Sequence, residues 1–155
     1  MPQVEFYKQY RALLQYGTFT RTADGWQVSD GKTVIAGVFH TLVHAGPGYE
    51  RLRVAGLEAD RLYRVKSLEQ KIRVGQFGNL LKHVVPFDVN PRGILVNTAD
   101  AHFTLPDGGE DFTASGAALG AGVMRKPLFR GTGYNTDQHN QGDFSSNVYV
   151  IEPVE

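Results

Sequence analysis

Cysteine is missing from all 155 residues, which excludes disulfide bridges and thiolate chemistry and leaves histidine and carboxylate side chains as the ordinary metal ligands. Such a chain suits a reducing compartment. Net charge is missing too: 16 Lys and Arg residues balance 16 Asp and Glu residues, so no long-range field draws the chain toward nucleic acid, an anionic membrane surface or a polyanionic substrate. Nucleic-acid and membrane partners are not expected. No run is apolar for the ~20 residues that a membrane span needs, and Glu5, Lys8 and Arg11 interrupt the start where a signal peptide would carry its apolar region. These absences predict a cytoplasmic location. The G-x-S-x-G elbow of hydrolytic serines is absent as well, because Gly116 follows Ser115 without the second half of that motif. Internal repeats and low-complexity tracts are also lacking.

What the chain has in quantity is glycine, 18 residues, together with nine Phe and seven Tyr. Tight turns use glycine and pleated surfaces favour aromatic and β-branched side chains, so the composition predicts a mostly β, antiparallel fold. One stretch departs from it. From Val4 to Tyr16, Phe6, Tyr10 and Leu13 recur at helical spacing, with Tyr7 and Leu14 beside them and Lys8, Arg11 and Gln15 opposite. This is an amphipathic helix stopped by Gly17. Roughly a dozen residues of helix are marginal alone in water, so the Phe6–Tyr10–Leu13 face must be covered.

After the helix the chain reads as short strands. Thr18–Arg21 and Trp26–Ser29 flank a turn at Ala23-Asp24-Gly25, and Asp30-Gly31 is the strongest hairpin signal, leading into a central strand Thr33–Val43 that is apolar on both faces. Tyr49–Val54 alternates arginine with Leu52 and Val54, and Leu62–Val65 is its expected hairpin partner. His83–Phe87, Gly93–Asn97 and Ala101–Leu105 are further extended pieces, while Lys66–Leu81 has a weak signal. Phe112–Val123 is small and glycine-rich, with a helical turn near Ala117–Leu119, and residues 125–143 form the longest turn-rich tract before a closing strand, Phe144–Glu152. About eight to ten strands at such intervals predict a two-sheet β-sandwich or a barrel-like fold.

Each candidate site has a plain alternative. His40 and His44 are four apart at the end of a strand, which separates them by roughly 13 Å and argues against a shared metal. Asp107, Glu110 and Asp111 form an acidic turn that is either a calcium loop or a solvated one. Gly116, Gly120 and Gly122 lack the lysine and βαβ context of a phosphate loop, so close packing explains them better. No metal and no cofactor are expected. Trp26, Tyr49, Tyr134 and His139 could form an aromatic platform for sugar; a core role is favoured for Trp26, while Tyr134 lies in the polar loop, which could equally be an oligomer contact.

Five segments taken together carry a resemblance: FYKQYRALLQYGTFTR, WQVSDGKTVIAGVF, YERLRVAGLEADRLYRV, SGAALGAGV and QGDFSSNVYVIE. In this order they resemble the C-terminal end of bacterial α-galactosidases of glycoside hydrolase family 36, over nearly the whole chain. The resemblance implies that residues 1–17 are the tail of the last helix of a catalytic (β/α)8 barrel and that residues 18–155 are a C-terminal β-sandwich domain. It implies a parent that hydrolyses terminal α-galactosides such as melibiose and raffinose with retention, and a structural role for this domain; a carbohydrate-binding module is the alternative. The family's nucleophile stands in a Lys-Trp-Asp sequence, whereas Trp26 is flanked by Gly25 and Gln27. No catalytic residue is therefore carried onto this chain. The implied partners are the barrel of the same polypeptide and a second copy of the chain. With the barrel lacking, Phe6, Tyr10 and Leu13 are expected to fold onto the chain's own sheet or onto that second copy.

Overall fold

The helix ends at a glycine because the chain passes too close for a side chain: a Cβ at Gly17 would fall 2.5 Å from the Leu13 carbonyl oxygen. In a computed structural model that describes residues 3–42, 46, 48–73, 104–128 and 134–155, α1 spans Gln3–Tyr16. The Gly17 amide donates to the Leu13 carbonyl at 2.8 Å. β1 (Thr18–Arg21) and β2 (Gly25–Ser29) follow as an antiparallel pair. The Asp30-Gly31 turn forms as its residues dictate. Asp30 Oδ1 accepts from the amides of Lys32 and Thr33 at 2.9 and 2.8 Å, and Gly31 takes φ 89°, a left-handed value that glycine adopts without strain. It delivers the chain into β3 (Val34–Phe39).

β4 (Arg51–Leu52), β5 (Leu62–Ser67), β6 (Lys71–Arg73), β7 (Thr104–Pro106) and β8 (Asp111–Ser115) come next, then the short helix α2 (Gly116–Ala121), β9 (Val123–Met124) and β10 (Ser146–Pro153). Ser115 caps α2, its hydroxyl accepting the Ala118 amide at 3.2 Å. A six-stranded antiparallel sheet runs β1-β2-β3-β10-β5-β8, and β4–β9 and β6–β7 form two-stranded ribbons.

Two expectations change here. The Leu62–Val65 strand does not pair with the one before it: β5 lies between β10 and β8, while β4 pairs with β9. Only Arg51 and Leu52 of the expected Tyr49–Val54 strand belong to a ladder. The last strand lies inside the sheet, between β3 and β5. Of the Ala101–Leu105 piece, Thr104 and Leu105 are strand; His83–Phe87, Gly93–Asn97, His44 and Val43 lie outside the described residues.

Strand alternation gives the large sheet two apolar faces. Val34, Ala36 and Val38 of β3, Tyr63 and Val65 of β5, and Tyr149 and Ile151 of β10 meet Leu52, Val54 and Leu119 from the β4 segment and α2. This is the sandwich interior, with the second sheet reduced among the described residues to the β4–β9 ribbon. On the other face Val28, Ile35, Trp26 and Val148 meet Phe6, Tyr10, Leu13 and Leu14 of α1. Trp26 lies opposite Gly37, where an added Cβ would come within 2.7 Å of the indole. Gly37→Ala is therefore expected to destabilise the domain by about 1–3 kcal/mol and to shift the fluorescence of the single tryptophan. An unchanged urea midpoint would show that the indole has room to move.

Candidate functional site

Ten polar or charged side chains are buried among the described residues, and most of them gather at one end of the sandwich interior. The 107–110 turn joins β7 to β8, and the 134–140 segment lies against it. Gly108 permits that approach, since a Cβ there would fall 2.1 Å from the Gln138 carbonyl oxygen. The segment is held by several bonds. The Tyr134 hydroxyl donates to the Pro106 carbonyl at 2.8 Å, the His139 amide to the Pro127 carbonyl at 2.9 Å, and the Asn140 amide to Asp107 Oδ1 at 2.6 Å.

Inside, His139 lies between two carboxylates. Its Nδ1 is 2.9 Å from Asp107 Oδ2 and its Nε2 is 3.6 Å from Glu110 Oε1. Burial opposes a charged imidazole, but the hydrogen bonds and charges of Asp107 and Glu110 outweigh it and raise the His139 pKa. Burial likewise pushes both carboxyls up. The bonds from His139, with the amides of Asn140 for Asp107 and Lys126 for Glu110, more than offset this and hold both below the usual carboxylate range.

Beside this triad stands Arg125, immediately after β9 and 2% exposed. Its Nε donates to the Tyr149 hydroxyl at 2.8 Å, Nη1 to Glu50 Oε2 at 2.9 Å and Nη2 to Asn147 Oδ1 at 2.9 Å. His40 completes the group, with Nδ1 3.3 Å from Glu50 Oε1. Burial, helped by the nearby Arg125 and His139, holds its pKa below the ordinary value against the pull of Glu50.

The residues expected at a sugar platform do not converge. Trp26 is half-buried on the α1 face of the sheet and stacks on Phe19, with centroids 6.3 Å apart. Tyr134 is half-buried with its hydroxyl on Pro106, and His139 is 1% exposed, closed off from any ligand. Tyr49, 64% exposed, borders a shallow depression of about 460 Å³ with Asp111, Phe112, Met124 and Lys126. In the acidic turn, Asp107 and Glu110 face His139, and Asp111 takes a bidentate pair from Arg64 at 2.8 and 2.6 Å. Among the described residues no group of three or more His, Asp or Glu side chains could hold a metal ion. Gly116 packs on backbone, a Cβ there meeting the Glu58 carbonyl oxygen at 2.1 Å. On the helix face, Leu13 is buried, Phe6 and Tyr10 are half-buried, and the Tyr10 hydroxyl donates to Glu152 at 3.0 Å. Burial and that carboxylate raise the Tyr10 pKa to about 12.

Sequence reasoning missed Arg125, Glu50 and Asn147. Arg125 stands in an Arg-Lys-Pro run that reads as a solvated turn, and nothing local distinguishes it; Asn147 alternates with Val148 on a strand, the one signal that placed it on the inward face with Tyr149.

The described residues thus define an antiparallel β domain entered by one helix, with a six-stranded sheet and two short ribbons. The particular family follows from comparison: residues 24–151 match the glycosyl hydrolase family 36 C-terminal domain, and the chain belongs to that family. Among solved structures it is similar to the α-galactosidase from Lactobacillus brevis, with a TM-score of 0.58 at 23% identity, covering 99% of this chain and 16% of that one. It is also similar to a family 36 α-galactosidase from Geobacillus stearothermophilus solved with raffinose, with a TM-score of 0.55 at 20% identity over 98% of this chain and 15% of that one. The galactosidase domain of an α-galactosidase–sucrose kinase gives a TM-score of 0.54 at 18% identity, again over 98% and 15%. The chain thus spans about a sixth of these structures' length. No curated protein matches it.

Proposed function

We propose that this chain is the structural C-terminal β domain of a longer α-galactosidase, with residues 1–17 the tail of the last helix of a catalytic (β/α)8 barrel and residues 18–155 the domain that flanks it. The observation that carries this reading is the family match over residues 24–151 in a chain that spans 15–16% of the similar α-galactosidase structures. The parent hydrolyses terminal α-galactosides such as melibiose and raffinose with retention. That chemistry needs two carboxylates about 5–5.5 Å apart flanking a sugar, whereas Asp107 and Glu110 are buried against His139 and Asp111 is paired with Arg64. The catalytic pair belongs to the barrel. In that setting α1 serves two neighbours: its Phe6–Tyr10–Leu13 face lies on the sheet, leaving Val4 and Tyr7, 64% and 44% exposed, for the barrel. The cysteine-free composition supports a cytoplasmic setting.

The reading predicts no turnover of p-nitrophenyl α-galactoside by this chain alone. Activity that persists through successive purification steps would sink it. The exposed ring of Tyr49 at the shallow depression favours, as a second reading, a carbohydrate-binding module; saturable calorimetric binding of galactose or raffinose would establish that reading in place of the first.

A further inference from the structure

The polar interior ties together two stretches distant in the chain, the 107–110 turn and the 134–140 segment, and the tie is ionic. His139 presents one ring nitrogen to each of two carboxylates, and the three side chains are 1%, 3% and 4% exposed for His139, Asp107 and Glu110. A neutral imidazole owns one N–H and can satisfy only one of them, leaving a lone pair facing the other; an imidazolium donates toward both. His139 Nε2 has no hydrogen-bond partner among the described residues, with Glu110 Oε1 standing 3.6 Å from it. Two enclosed carboxylates without a cation between them repel each other at low dielectric.

We propose that Asp107, His139 and Glu110 form a protonation-gated latch that fastens the 134–140 segment to the 107–110 turn, closed while the imidazole carries its proton and released when the proton is lost. The groups facing His139 among the described residues are Asp107 and Glu110 on the β7–β8 turn and Asn147 on β10, and Tyr149 of β10 lies against Glu110. Beyond them lie Arg125, Glu50 and His40. Glu50 offsets the charge of Arg125, and burial holds the His40 pKa below its ordinary value. The cation of the latch is therefore His139 itself. A histidine whose pKa is raised on folding contributes stability that is complete below the unfolded value of about 6.5 and is lost as pH rises through the folded value. Asp107 and Glu110, lowered on folding, contribute stability that is present above their unfolded values and lost as pH falls through their folded ones. The alkaline side of the stability profile belongs to His139 and the acid side to the carboxylates.

The test is amide hydrogen exchange on the whole chain between about pH 6 and pH 10. Between the unfolded value of about 6.5 and the His139 transition, the opening constants of the His139 and Asn140 amides are expected to rise by up to about tenfold per pH unit relative to the Val150 amide in β10, and to level off above that transition. In His139→Gln this relative rise disappears. Should that variant fail to fold, nitrogen NMR of the wild-type ring decides, since the latch requires both ring nitrogens protonated near pH 7. A neutral ring there, or the same relative exchange in wild type and His139→Gln, overturns the proposal.

Discussion

Arg125→Met is expected to lower the unfolding free energy by about 3 kcal/mol or more, near the lower end of the roughly 3–5 kcal/mol lost when one partner of a buried pair is removed. Methionine matches the stem of arginine, so the effect does not rest on a cavity. It rests on what the guanidinium leaves behind. Tyr149 Oη and Asn147 Oδ1 each lose a donor inside the core, where neither can turn to water. Glu50 limits the loss, because its side chain is 32% exposed and recovers hydration once unpaired. Arg125→Lys should fall between the two, since an ammonium is a point donor and cannot reach three acceptors in separate directions. Urea unfolding at neutral pH measures all three proteins. A loss below about 1 kcal/mol for the methionine variant, within the range of an exposed ion pair, would show that the brace adds little to stability.

The brace also shows where sequence reading stops. Local chemistry was legible: Asp30-Gly31 turned as a hairpin because the Asp30 carboxylate accepts the Lys32 and Thr33 amides, and Gly17 follows the helix end at Tyr16, its amide on the Leu13 carbonyl. The inward face of most strands was legible from alternation, as with Leu52 and Val54 against Arg51 and Arg53. Partner choice was not, since alternation says which way a side chain points and not which strand lies beside it. β5 therefore looked like the mate of β4, whereas it lies between β10 and β8. The candidate site suffered most. Asp107, Glu110, Arg125 and His139 stand in glycine- and proline-punctuated polar runs that normally lie in water, and their burial depends on four segments meeting across long stretches of chain. A charge is legible in a core only when its counter-charge is known, and here the nearest such pair in the chain, Glu110 and His139, is 29 residues apart.

Leu13→Asp is the second large effect, and it separates the helix from the sheet. Leu13 is 6% exposed and packs with Val28 and Ile35. Truncating such a leucine to alanine costs about 2–5 kcal/mol; a carboxylate in the same place adds an unpaired charge in an apolar seam. The domain has an escape from that cost, because α1 can leave the sheet as a unit, so the loss is bounded by the free energy with which the helix docks. Once undocked, α1 has 14 residues and no covered face, too few to stay folded alone in water. The expected result is a joint one: helical circular dichroism falls, the Trp26 emission moves toward that of a solvated indole, and the apolar face of Val28, Ile35 and Val148 binds a hydrophobic dye. The β10 amides should remain protected, since the opposite face of the sheet keeps its own core of Val34, Tyr63, Tyr149 and Ile151. Retention of the full helical signal with no dye binding would mean that α1 is held elsewhere than at Leu13.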